Sequence, residues 1–224
     1  MTQKVPKVLR SSVRAIVNAS RDFDGSNQIL LDAVAKLFHA DWYRALYPDI
    51  AASGTDPLNH YLKRGYIENR SPHPMFDAMA YLELYDDVRQ SGMPAIIHYM
   101  RSGGRERRSP NRWVDLDLYF SRHGHAVDAC PHMTILEDFA ASEDRLDCFQ
   151  FLDQSYYASR AALPEGATPN EVLLHFFVTG LKAGHEPNRL IKFDRIGLEG
   201  SLDERLARFN QLFMSPSDLS NVSP

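Results

Sequence analysis

The chain has 224 residues, of which 44% are hydrophobic and 24% charged, and its 25 basic and 29 acidic residues leave a net charge of −4. That apolar content suffices for a core, while the acidic balance argues against a nucleic-acid partner. No run of about 18 apolar residues and no signal-peptide core is present, and the two cysteines, Cys130 and Cys148, form no CxxC pair, so a cytoplasmic location is expected.

In chain order, residues 1–25 read as a basic arm. Lys4, Lys7, Arg10, Arg14 and Arg21 occur in the first 21 residues without an acid. Val5, Val8, Leu9, Val13, Ile16 and Val17 form an apolar stripe among them; the leading reading is a flexible or loosely docked arm, and peripheral contact of residues 4–17 with an anionic membrane is the alternative. Residues 26–37 read as an N-terminal cap helix over the first of several repeated units.

The repeat announces itself through Tyr43, Tyr81, Tyr119 and Tyr157, spaced 38 residues apart. Phe38, Leu46, Tyr47, Asp49, Gly54, His60, Tyr61, Gly65, Glu68, Arg70 and Pro72 recur at the same shift as Phe76, Leu84, Tyr85, Asp87, Gly92, His98, Tyr99, Gly103, Glu106, Arg108 and Pro110. The units span 38–75, 76–113, 114–151 and 152–191; the third is degenerate and the fourth restores the His-aromatic pair as His175-Phe176.

Each unit predicts a helical hairpin. Asp77, Asp115 and Asp153, with His39 in the first unit, stand where an N-cap acceptor is needed. Gly54 and Gly92 end the first helix. Asp56-Pro57, Met93-Pro94 and Thr168-Pro169 open the second, which ends near Gly65, Gly103 or Gly180. Thr134 with Glu137 and Thr168 with Glu171 fit the capping box. Residues 192–214 contain a C-terminal cap helix starting at Ser201, and 215–224 read as a disordered tail. The expected class is all-α, with four tandem hairpins of about eight helices arranged as a solenoid or a compact bundle.

Candidate chemistry is sparse. His60 and His98 either line a ligand groove or hold neighbouring loops. Arg70 and Arg108, in Gly-x-x-Glu-x-Arg turns, either grip an anionic group or pair with the turn's glutamate. Basic density peaks around the second turn, where Arg101 and Arg105 join Arg107, Arg108 and Arg112 as the best surface for an anionic partner. His123, His125, Cys130 and His132 are zinc-type ligands in what reads as a polar loop, but their spacing matches no established zinc pattern; no metal or cofactor is expected. Asp115-Leu116-Asp117 matches a DxD motif yet falls at the cap position. No phosphate loop, nucleophile elbow or HExxH occurs.

The pattern in Phe76, Asp77, Tyr81, Leu82, Tyr85, Asp87, Val88, Gly92, His98, Tyr99, Gly103, Glu106, Arg108 and Pro110 resembles a tandem helical repeat of bacterial proteins. That repeat occurs beside glycosyltransferase domains in polysaccharide biosynthesis and in some large secreted proteins. The resemblance implies a non-catalytic module that binds a protein, such as a glycosyltransferase, or a glycan, and it carries over no catalytic residue. The alternatives are a small transferase or hydrolase acting on a sugar or lipid, and a metal-dependent regulator.

Overall fold

The computed structural model describes residues 25–129, 133–142, 144–195, 197 and 199–213; among them every named element is helical, with no strand beyond one isolated bridge, His73–Phe76. The chain is all-α, as expected. Residues 1–24 of the basic arm, including 4–17, and the tail 215–224 lie outside the described residues.

Helix α1 (Gly25–Leu37) is followed by α2 (Ala40–Leu46), α3 (Pro48–Ser53) and α4 (Pro57–His60), and α4 runs directly into a π-helical turn, Tyr61–Gly65. The second segment repeats this layout as α5 (Ala78–Leu84), α6 (Asp86–Ser91), α7 (Ala95–His98) and the π turn Tyr99–Gly103. The single first helix expected in each unit is therefore two in these first two segments. It breaks at Tyr47 (φ −119°, ψ 88°) and at Tyr85 (φ −125°, ψ 87°). Pro48 pushes its predecessor out of the helical region, but Asp86 does not. Both breaks share a tyrosine hydroxyl that accepts from a distant backbone amide, that of Ser71 (2.7 Å) or Ser109 (2.6 Å).

The third segment differs. Helix α8 (Leu116–Ala129) runs unbroken, and α9 (Ile135–Ala141) leads to a 3₁₀ turn at Leu146–Cys148 without a π turn. The fourth has one first helix, α10 (Gln154–Arg160), then α11 (Pro169–His175), and regains the π turn at Phe176–Gly180, which runs on into α12 (Leu181–Ala183). Helix α13 (Leu202–Gln211) comes last.

One position both starts and closes each segment. His39, Asp77, Asp115 and Asp153 accept from first-turn amides through their side chains, at 2.9–3.2 Å. Their own backbone N–H groups donate to the carbonyls of Pro72 (3.0 Å), Pro110 (3.0 Å), Cys148 (3.2 Å) and Pro187 (3.1 Å). Gly54 and Gly92, at φ +68° and +72°, are left-handed stops that an L side chain would strain. The capping boxes at Thr134 and Thr168 form, and a third joins Ser201 to Glu204.

The core is aromatic and it joins the two ends of the chain. Trp42 meets Phe177 with ring centres 6.4 Å apart, and Trp113 lies 4.8 Å from the same ring. Phe209 of α13 packs against Phe151 (5.1 Å) and Phe176 (5.4 Å). Helix α13 also touches α2, and Asn210 donates to Asp77 (2.7 Å). First and fourth segments thus touch, which an open stack of nearest neighbours would not allow. Helix α1 rests on α7 and α9 rather than covering the first segment alone. Among the described residues no helix is long and apolar enough to cross a membrane.

Candidate functional site

The tyrosine ladder has a partner on every rung. The hydroxyls of Tyr43, Tyr81 and Tyr157 hydrogen-bond to Nδ1 of His60 (3.0 Å), His98 (3.0 Å) and His175 (2.8 Å). All three rings are fully buried, and burial raises each phenol's pKa and lowers those of His98 and His175. Gly65, Gly103 and Gly180 end the π turns beside these hydroxyls; a Cβ at any of them would overlap the tyrosine oxygen. The glycines are there for space. His60 and His98, candidates for a ligand groove, each spend Nδ1 on the tyrosine hydroxyl of their own segment.

The arginine forks are also occupied. Arg70 grips Asp49 through both terminal nitrogens (2.9 and 2.8 Å), reaches Glu68 through Nε (2.8 Å) and lies 4.8 Å over the Tyr47 ring. Arg108 repeats the arrangement on Asp87 (2.8 Å twice), Glu106 (2.6 Å) and Tyr85 (4.8 Å). The guanidinium of Arg108 holds the Asp87 carboxyl down at about 2. Lysine keeps the charge but not the fork, so Arg108→Lys is expected to lower stability by about 1 kcal/mol in urea unfolding. An unchanged midpoint would contradict a structural role for the fork.

The rest of the basic turn divides. Arg101 and Arg105 are exposed, Arg101 donating to Asn27 (2.7 Å) on α1. Arg107 has φ +55° and stacks over Phe120 at 4.3 Å, while the Arg112 side chain is only 5% exposed and bonds Glu83 (3.3 Å).

Where the ladder breaks, the chemistry changes. The Tyr119 hydroxyl donates to Asp138 instead of bonding a histidine nitrogen, although its ring stands edge-on to His123 (5.6 Å), and Asp138 is 3% exposed. Arg145 meets that carboxylate through Nε (2.8 Å) and Nη2 (3.1 Å), and its backbone N–H donates to Asn170 (2.9 Å). The available signal was a second acid, Asp138, beside the capping Glu137 in the run ILEDF.

Beside it, segment closure brings Cys148 and Asp147 against α8. His123 Nε2 lies 3.0 Å from Asp147 Oδ1, the Cys148 thiol donates to the same oxygen (3.3 Å), and Arg122 donates to Oδ2 (2.6 Å). Burial opposes ionisation of Asp147, but His123, Arg122 and Cys148 hold its carboxyl at about 2. Burial, reinforced by Asp147, pushes the Cys148 thiol up to about 12. An open cleft of about 420 Å³ adjoins this corner, lined by His123, Asp144, Asp147 and Gln150 among others. The expected polar loop from residue 122 is helical to Ala129, so His123 projects from a helix. Of its proposed companions, Cys130, His132 and the side chain of His125 lie outside the described residues.

A second cleft of about 320 Å³ separates α5 from α13, with Tyr47, Met79, Leu206, Asp77, Arg112 and Asn210 on its walls. Comparison of the chain with protein-family models, curated proteins and solved structures found no match.

Proposed function

We propose that the protein is a non-catalytic helical-repeat module of four hairpin units that binds a protein partner or a glycan in bacterial surface-polysaccharide production. One observation carries the reading: the recurring polar residues make the same internal contacts 38 residues apart, Tyr43–His60 with Tyr81–His98 and Arg70–Asp49 with Arg108–Asp87. Side chains that hold successive units in one shape are what a scaffold requires. The sequence resemblance to repeats found beside glycosyltransferases supplies the biological setting.

The contact surface in this reading is the turn bearing Arg101 and Arg105. Both are exposed, and the positive φ of Arg107 places a strained backbone between them and the Arg108 fork. A basic surface of this kind favours an anionic partner, either an acidic polysaccharide or an acidic protein patch.

The test uses affinity capture from the native cell together with binding to purified acidic polysaccharide. Arg101→Glu combined with Arg105→Glu is expected to weaken binding at least about tenfold, with an unchanged melting curve. Full binding by the folded double variant rejects this surface. Failure of the wild-type chain to capture any protein or glycan rejects the binding module itself.

A further inference from the structure

We infer that His123, Asp147 and Cys148 form a binding site for a borderline-soft divalent cation of the zinc type, with its fourth position open to solvent. The ligand atoms of these three residues lie within 4.8 Å of one another. One nitrogen, one carboxylate oxygen and one sulfur make a mixed set that suits zinc or cobalt(II) far better than magnesium or calcium.

The distances fit. Tetrahedral zinc with bonds of about 2.1 Å to N and O and about 2.3 Å to S separates N from O by about 3.4 Å and S from O by about 3.6 Å. The metal-free separations are 3.0 Å for His123–Asp147 and 3.3 Å for Cys148–Asp147. These two edges therefore open by only about 0.3–0.4 Å as the cation replaces the shared hydrogen bonds, while the His123–Cys148 edge, within 4.8 Å without metal, settles at about 3.6 Å.

Positioning comes from three directions. His123 sits on α8, while Asp147 and Cys148 sit on the 3₁₀ turn whose Cys148 carbonyl accepts from Asp115 N–H (3.2 Å). That backbone bond ties the turn to the start of α8. Arg122 holds Oδ2 of Asp147 (2.6 Å), leaving Oδ1 aimed at the imidazole and thiol, the kind of outer contact that orients a ligating carboxylate. The adjoining cleft of about 420 Å³ gives a water or an exchangeable ligand access to the fourth position.

Binding balances as follows. The Nε2 proton of His123 passes through solvent to Nδ1, freeing the Nε2 lone pair for the cation, which also takes a carboxylate oxygen and the sulfur of Cys148; the S–H bond breaks and its proton leaves to solvent. The doubly charged cation is neutralised by one thiolate and one carboxylate, and affinity falls as pH falls because a proton competes for the sulfur.

Cobalt(II) titration of the full chain, followed by zinc competition, tests the site. Wild-type protein is expected to develop tetrahedral d–d bands and a thiolate-to-cobalt charge-transfer band, both removed by zinc. Cys148→Ser should lose the charge-transfer band, and His123→Gln and Asp147→Asn should each weaken binding at least about tenfold. Cys130→Ser should change neither spectrum nor affinity. Because Cys148 is buried and its serine variant can misfold, His123→Gln, with native circular dichroism, is read as well. A featureless wild-type spectrum, a charge-transfer band that survives in Cys148→Ser, its loss in Cys130→Ser, or unaltered affinity in folded His123→Gln each overturns the assignment.

Discussion

Replacing Asp138 by alanine is expected to lower the unfolding free energy by about 3–5 kcal/mol, because it strands a partly buried guanidinium. Asp138 is 3% exposed and accepts from Arg145 Nε and Nη2 and from the Tyr119 hydroxyl, so the change leaves three donor groups without that acceptor and Arg145 with only the exposed Asp144. Denaturant unfolding supplies the measurement. Adding Arg145→Met to the variant should recover part of the loss, since an apolar pair of similar volume replaces a buried ion pair at little cost. A loss below about 1 kcal/mol would mean the ion pair is solvated rather than buried.

The pH dependence follows from the same contacts. Burial opposes the Asp138 anion, but bonds from Arg145 and Tyr119 prevail and set its carboxyl below the ordinary value. A group with a depressed folded pKa stabilises fully above its unfolded value of about 3.9 and loses that contribution as pH falls through the folded value. Asp138→Asn should therefore be less stable than wild type near neutrality and show a shallower decline below about pH 4.

Gly103→Ala is the second large effect, expected at about 1–3 kcal/mol by overpacking. Gly103 closes a π turn without a positive φ, so conformational freedom is not the issue; the new methyl would overlap the Tyr81 hydroxyl and press on His98 Nδ1 at 3.2 Å. Tyr81→Phe removes that hydroxyl and should itself cost about 1 kcal/mol through the lost bond to His98. The two changes should then be sub-additive, with Gly103→Ala milder in the phenylalanine background. Strict additivity by thermal or urea unfolding would show that the glycine serves some purpose other than room for the tyrosine.

What the sequence could reveal was whatever is local and repeated. Tyr43 to His60 spans 17 residues and Asp49 to Arg70 spans 21, so each contact lies within one unit and recurs with it. The caps at Asp77 and Asp153, the stops at Gly54 and Gly92, and the all-α class were legible for this reason. The break at Tyr85 was not, because apolar residues keep helical spacing across it and its hydroxyl bonds a distant amide, whereas Pro48 marked the break at Tyr47. Asp138 replaces histidine only once, and a single substitution has no period to betray it. Asp147 and Cys148 meet His123 through segment closure, which residue spacing along α8 cannot show. Asn210 reaches Asp77 across 133 residues, beyond any local pattern.

The contact of Trp42 with Phe177, sealed by Phe209 from α13, has a consequence for how the molecule comes apart. A linear stack melts from its ends, since each terminal unit is held by one neighbour and can peel away alone. Here the first segment is gripped by the last, so detaching either uncovers the shared aromatic face and weakens the other. Opening is then a global event whose free energy approaches that of complete unfolding, and the amides of α2 and α11 should be among the slowest to exchange with solvent. Forming that contact also requires most of the chain to be gathered first, which makes it a late, slow step in folding.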